Sequence, residues 1–259
     1  MRIVDIKVWG DYACFTRPEF KVERVSYPVM TPSAARGVLE AIYWKPQIRY
    51  LIQRIGILRH PHLEKEQLPI GREWSLLRNE MSSRQSESAK DFYVEADRQQ
   101  RTSLVLKDVA YRIQAWIDPR NGETNIGKHL DTFRRRAERG QYFHKPFLGC
   151  REFTADFEWL GDKPDNDETI KPDSNLNLPL GSMLFDTAYI NDSQHYKIHP
   201  EDRLEFWRHE YDKACVAEGY AKRFFFNAEI KNGWLVEKDR SGLPHSIYNE
   251  IKIMEAGND

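Results

Sequence analysis

Cysteine is scarce in this sequence: Cys14, Cys150 and Cys215 are three in 259 residues, widely spaced and without a CxxC pair. An odd, scattered set excludes a disulfide framework and fits reduced thiols. Long apolar runs are also missing. No segment approaches the roughly 20 apolar residues that a membrane-spanning helix needs. The opening MRIVDIKVWG, broken by Asp5 and Lys7, lacks the charged-then-apolar pattern of a secretory signal. The expectation is a cytoplasmic protein with no membrane partner. Excess charge of one sign is absent too, since 39 Lys and Arg stand against 40 Asp and Glu, a formal net charge of -1. A polyanion site, if there is one, must therefore be local.

The signature loops of several enzyme classes do not occur. There is no GxGxxG, no P-loop and no nucleophile elbow, so nucleotide-dependent and acyl-transfer chemistries lose support. The acids form no recognisable two-metal nuclease constellation. His60-Pro61-His62 sets two imidazoles on one strand face, but no third ligand accompanies them. They are read as a surface feature, with no metal and no cofactor expected.

What is present is a well-supplied core, with 12 % aromatic residues and seven Trp. Residues 2–9 alternate, with Val4, Ile6 and Val8 on one face, and predict a strand. Residues from Gly10 to Met30 read as loop. Thr31-Pro32 supplies a cap and a first-turn proline for a helix carrying Ala35, Val38, Leu39 and Ile42 inward. Pro46 predicts its end near Tyr43 or Trp44. Residues 48–58 predict a second strand, and Val109 to Ile117 a third. Between them, the polar stretch 78–101 reads as a long mobile loop. Asn125 opens a second helix with Leu130, Phe133 and Ala137 inward and Gly140 as its stop. Phe153, Ala155, Phe157 and Trp159 alternate with polar residues as a fourth strand.

The order strand, helix, strand, strand, helix, strand predicts an α+β, ferredoxin-like β-α-β-β-α-β domain, the topology that also underlies the RNA-recognition motif. The acidic stretch 161–175 reads as a boundary. Residues 1–160 are expected to form this domain and 161–259 a smaller β-rich C-terminal region. Within that region 180–190 and 220–237 look strand-like, and 201–219 fits helix or strand.

Chemistry concentrates at Asn125-Ile126-Gly127-Lys128-His129. A cap at Asn125 puts Lys128 and His129 in the first helical turn, where free N–H groups and the positive dipole end suit a phosphate. RNA carries its own nucleophile, the 2′-hydroxyl. A ribonuclease needs only orientation, proton transfer and charge stabilisation. An imidazole, ordinarily titrating near pH ~6.5, supplies the proton transfer. A Lys-His pair on a helix is, taken alone, more often a solvated face.

The surroundings add weight. Residues 128–151 hold seven basic residues (Lys128, Arg134, Arg135, Arg136, Arg139, Lys145, Arg151) against Asp131 and Glu138, a local balance of +5. Such a stripe suits a phosphate backbone. Arg36 and Lys45 are further candidate RNA contacts and equally read as solvated charges. Tyr43 and Trp44 close the first helix. An aromatic there either caps the core or, through its phenol or its face, meets RNA.

Several stretches resemble one known family. WGDYACFTRPEFKVERVSYPVMTPSAARGVLEAIYWKP (Trp9 to Pro46), LKDVAY (Leu106–Tyr111), the GKH block followed by a basic helix (Gly127–Arg136), FLGCREF (Phe147–Phe153) and LPLGSMLFD (Leu178–Asp186) are similar to the Cas-five family of CRISPR-associated proteins, in its Dvulg or type I-C subtype. The resemblance reaches to about residue 190. It implies a RAMP-type endoribonuclease that cuts precursor RNA at the base of the repeat hairpin without a metal. It also implies that the protein stays on the crRNA 5′ handle, beside a Cas-seven-type backbone subunit and a large subunit. The family's Tyr, Lys and His set falls on Tyr43, Lys128 and His129; only the resemblance raises Tyr43 above a core residue. A non-catalytic crRNA-binding subunit and a metal-dependent DNA nuclease remain as alternatives.

Overall fold

The computed structural model describes residues 3–20, 23–59, 72–81, 98–120, 122–161, 167–190, 203–210, 213–236 and 246–255. Along the chain run β1 (Ile3–Ala13), β2 (Arg24–Val25), α1 (Pro32–Ile42), β3 (Ile48–Leu58), β4 (Arg72–Met81), β5 (Arg98–Pro119), α2 (Ile126–Glu138) and β6 (Asp156–Trp159). There follow β7 (Leu178–Ile190), β8 (Arg203–Glu210), β9 (Lys213–Lys231), β10 (Trp234–Val236) and α3 (Ser246–Glu255). The architecture is mixed α and β, dominated by an antiparallel sheet. Among the described residues no helix is long and apolar enough to cross a membrane.

Local sequence explains the first two helices. The Thr31 hydroxyl accepts from the Ala34 N–H at 3.3 Å, and Pro32 takes the first helical position, where it loses no hydrogen bond. α1 buries Pro32, Ala35, Val38, Leu39, Ala41 and Ile42. It stops at Tyr43, whose backbone turns extended ahead of Pro46. In α2, Asn125 accepts from the Lys128 N–H at 3.2 Å. The helix ends before Gly140, whose φ of 63° is a left-handed conformation that glycine adopts without strain.

The strands form one sheet in the order β6-β1-β5-β3-β10-β9-β7, with β2 and β4 on β5 and β8 on β9. β1 lies antiparallel to β5 and to β6, and β3 antiparallel to β5. α1 packs on β3 and β7, and α2 on β6 and β5, so both helices meet over one face. Beneath them Val4, Ile6, Val8, Ile55, Ile113 and Phe133 are fully enclosed. β10 pairs with β3 on one side and β9 on the other, which carries the sheet into the C-terminal strands without a break.

Several sequence expectations change. The strand expected at 2–9 runs on to Ala13, and β2 interrupts the loop expected at Gly10–Met30. The expected loop 78–101 is strand at both ends, with Arg78 opposite Arg101 and Met81 opposite Arg98; residues 82–97 lie outside the described residues. Polar residues can occupy strand here because the ladder hydrogen bonds are made by the backbone whatever the side chain. β6 is shorter than expected: Phe153 and Ala155 are buried, yet the chain there follows turns. The ambiguous stretch 201–219 is strand at 203–210 and 213–219. Helix α3 was not anticipated. His60 and His62 lie outside the described residues.

The opposite face of the central strands is not the open surface that alternation implies. Asp5 and Lys7 are buried. Arg112 donates to both Asp5 carboxylate oxygens, at 3.0 and 2.6 Å, and Gln114 adds a third bond at 2.8 Å. The Lys7 ammonium donates to the Thr169 carbonyl at 3.2 Å, and the Leu160 N–H to the Asp5 carbonyl at 2.9 Å. Leu160 and residues 167–172, the latter inside the stretch 161–175 read from sequence as a boundary, lie over this face with Ile170 and Pro172 buried. Any RNA must therefore be met elsewhere than on this part of the sheet.

Candidate active site at the start of the second helix

α1 ends where α2 begins, and the junction holds three polar side chains in line. The Tyr43 hydroxyl lies 2.9 Å from His129 Nδ1, and His129 Nε2 lies 3.0 Å from Glu123 Oε2. The same Glu123 oxygen accepts from the Lys128 ammonium at 2.6 Å. Glu123 is itself anchored, because its Oε1 accepts from the Asn125 N–H at 2.8 Å. The turn before the helix thus fixes the carboxylate, and the helix's first turn brings imidazole and ammonium to it.

The chemistry of these groups assigns the protons. The Lys128 ammonium, the His129 ring and the Asn125 N–H hold the Glu123 carboxyl down at about 2, far below its ordinary 4.5. An ionised carboxylate only accepts, so His129 Nε2 carries the proton. With Nε2 engaged by Glu123, Nδ1 is the ring atom that meets the Tyr43 hydroxyl. Burial pushes the Tyr43 phenol above its ordinary value of 10, against the opposing pull of Arg136 and Lys128. The phenol keeps its proton at neutral pH.

Tyr43 is clamped on its other sides. The guanidinium of Arg136 sits 5.2 Å from the ring centroid and donates to the Ile42 carbonyl at 2.9 Å. Tyr50 donates its hydroxyl to the Tyr43 carbonyl at 2.6 Å. Tyr43 and His129 are 5 % and 2 % exposed, whereas the Lys128 side chain is 56 % exposed. The site is thus a buried hydrogen-bonded line with an exposed cation, held on Glu123, at its mouth.

The candidate catalytic residues Tyr43, Lys128 and His129 therefore stand together. The candidate RNA contacts divide. Lys45, Arg135, Arg139, Lys145 and Arg151 are exposed. Arg134 is exposed but bonded to Glu138 at 2.8 Å. Arg136 is turned inward onto Tyr43. Arg36 leaves the set: it donates to both Asp186 oxygens at 3.0 and 2.8 Å and to Glu40 at 2.7 Å. A guanidinium so fully matched and mostly buried braces the fold instead of reaching RNA. Sequence reasoning missed Glu123, although an acid two residues before a helix cap, ahead of Lys-His, was a signal in plain view. Among the described residues no group of three or more His, Cys, Asp or Glu is gathered as metal ligands.

Comparisons with known proteins converge. The sequence model of the Cas_Cas5d family, described as CRISPR-associated protein (Cas_Cas5), matches residues 3–227. A Thermus thermophilus protein named CRISPR pre-crRNA endoribonuclease Cas5d is 48 % identical over 259 residues, 100 % of this chain and 98 % of its own. A Mannheimia succiniciproducens protein of the same name is 44 % identical over 201 residues, 72 % of this chain and 85 % of its own. A solved structure described as a CRISPR-associated protein superposes with a TM-score of 0.56 over 93 % of both chains; at 20 % identity that likeness concerns the fold alone. The chain belongs to the Cas5d family of CRISPR-associated proteins.

Proposed function

We propose that this member of the Cas5d family is a metal-independent endoribonuclease that cuts CRISPR precursor RNA at the base of the repeat hairpin. The observation that carries the reading is the line Tyr43–His129–Glu123, hydrogen-bonded end to end, with the Lys128 ammonium exposed beside it. Both near relatives are named as pre-crRNA endoribonucleases.

In this mechanism the RNA's 2′-hydroxyl oxygen attacks the neighbouring phosphorus, and the bond from phosphorus to the 5′-oxygen breaks. The 2′-hydroxyl gives its proton to the Tyr43 oxygen as Tyr43 passes its own to His129 Nδ1. The imidazolium formed is stabilised by Glu123. Lys128 shifts toward the phosphate and balances the charge that grows on its oxygens. The proton on His129 Nδ1 then returns through the Tyr43 hydroxyl to the leaving 5′-oxygen, which departs as a hydroxyl and restores the neutral ring. The products are a 2′,3′-cyclic phosphate and a 5′-hydroxyl.

The sheet order β6-β1-β5-β3, with α1 and α2 on one face, supports reading the first 160 residues as a ferredoxin-like β-α-β-β-α-β domain. The strands after residue 160 then form a smaller β-rich region joined to it through β10. After cleavage the protein holds the crRNA 5′ handle within a type I-C surveillance complex in the cytoplasm, alongside a Cas-seven-type backbone subunit and a large subunit.

The test is cleavage of cognate repeat RNA in EDTA by wild type, His129→Ala and Tyr43→Phe, with circular dichroism to verify folding and end-group analysis of products. Wild type cuts once below the hairpin and leaves a 5′-hydroxyl, and His129→Ala binds without cutting. A 5′-phosphate product, or cutting that needs added divalent ions, overturns the reading.

A further inference from the structure

Near the Tyr43–His129 site the fold brings together two chain segments that carry aromatic rings left in water. Among the described residues six aromatic side chains are exposed, and three of them, Trp44, Tyr142 and Phe143, gather here at 53 %, 46 % and 79 % exposure. Their proximity is built by the backbone. The N–H groups of Phe143 and His144 both donate to the Ala41 carbonyl, at 2.9 and 3.2 Å, which straps the segment after α2 onto the last turn of α1. Tyr142 is propped edge-on against Phe157, with ring centroids 6.4 Å apart. Trp44 is the residue next to Tyr43.

Exposed cations accompany these rings along the chain. Lys45 adjoins Trp44, Lys145 lies two residues past Phe143, and Arg135 and Arg139 close α2 on the approach; all four are exposed. None is held by an acidic partner among the described residues. Exposed rings interleaved with unmatched cations are the composition of a single-strand nucleic-acid surface, where bases stack and phosphates meet Lys and Arg. A surface built to dock a protein would carry fewer lysines at its centre. Paired bases in a stem have their faces already covered, so only unpaired nucleotides can use such rings.

We propose that Trp44 and Phe143 form a stacking platform for the unpaired nucleotides that flank the scissile phosphate, positioning the strand so that its phosphate arrives at Lys128. The inference rests on the ribonuclease reading above. It adds a binding site for single-stranded RNA that is separate from the proton line. Because both side chains project into solvent, their removal leaves the core intact.

The experiment uses the full chain and a repeat RNA made uncleavable by a 2′-deoxy sugar at the cut site, with 2-aminopurine placed in turn at each unpaired position. Fluorescence quenching reports stacking, and the same titration reports affinity. Wild type quenches the probe beside the cut site. Trp44→Ala and Phe143→Ala lose that quench and bind about tenfold more weakly, and Trp44→Phe and Phe143→Tyr restore both. A hairpin trimmed of its unpaired nucleotides binds all variants equally. The proposal falls if the alanine variants quench and bind as wild type does. It falls equally if they lose affinity for the trimmed hairpin to the same degree, or if only association with a protein subunit suffers. Cleavage of unmodified RNA by wild type is scored separately. Quenching without cleavage removes the ribonuclease reading and leaves the platform standing.

Discussion

Helix α1 touches two charged clusters, and they do opposite things. Toward its start Arg36 grips Asp186 through both carboxylate oxygens and Glu40 through one, and Arg49 joins Asp186 at 3.2 Å. Just past its end Tyr43, His129, Glu123 and Lys128 form the proton line. In the first cluster two guanidiniums meet two carboxylates and Asp186 is only 2 % exposed. Every charge is matched and nothing there can move a proton at neutral pH. In the second a single carboxylate serves an ammonium and an imidazole, and the ammonium opens to solvent. Residue types alone do not separate the two. The proposed mechanism needs a group that changes its proton and a cation that changes its partner, and only the second cluster holds an imidazole and an exposed ammonium.

Removing Asp186 is the strongest way to test the first half of that contrast. Asp186→Ala leaves Arg36 to Glu40 and takes from Arg49 the buried carboxylate that the two arginines share. A loss of about 3–5 kcal/mol in urea unfolding is expected. Burial pushes the Asp186 carboxyl up, but the two arginines overcome it and hold it below its ordinary 3.8. A depressed carboxylate contributes stability above its unfolded value and loses it as pH falls through the folded one. Wild type should therefore lose this contribution only below about pH 4, and the alanine variant should lack that acid step. Unfolding at wild-type denaturant concentration would break the comparison.

Glu123 tests the other half with a smaller effect. Glu123→Ala frees His129 to adopt the wrong tautomer and leaves the imidazolium unsupported, so cleavage should slow on the order of 10²-fold. Glu123→Gln keeps an acceptor for Nε2–H and should slow less. The Glu123 carboxyl falls from 4.5 to about 2 in the fold, so its stabilising effect is complete above pH 4.5 and disappears toward pH 2. Acid unfolding of Glu123→Gln should be flatter across that window. Single-turnover rates unchanged in both variants would reduce Glu123 to a surface acid.

Much of this arrangement was legible in the sequence because its signals are local. Thr31-Pro32 and Asn125 announce both helices through caps that act within three residues, and Ile48–Leu58 reads as strand by β-branched content. Lys128 and His129 share one helical turn. The rest depends on partners far along the chain. Tyr43 and His129 are 86 residues apart, and Asp5 and Arg112 are 107 apart. No periodicity encodes such pairings, so Asp5 and Lys7 read as interruptions of an apolar stretch when they are buried and bonded. Arg36 looked like an RNA contact for the same reason, since Asp186 lies 150 residues on.

The basic stripe of α2 gives the smallest effect and the finest comparison, because adjacent arginines on one helix differ only in what they face. Arg134 is bonded to Glu138, and Arg136 lies over Tyr43 with a bond to the Ile42 carbonyl. Arg135 and Arg139 point outward. Each cation that neutralises a phosphate releases counterions and steepens the salt dependence of binding by about one unit on the logarithmic plot. Arg135→Ala or Arg139→Ala should flatten the slope by about that amount, whereas Arg134→Ala should change it less because Glu138 already offsets its charge. Arg136→Ala should act differently again, lowering the cleavage rate through Tyr43 more than it changes the slope. Equal slope changes at 134, 135 and 136 would mean that the stripe meets RNA as a uniform charged face, and that the inward turn of Arg136 has no consequence for the reaction.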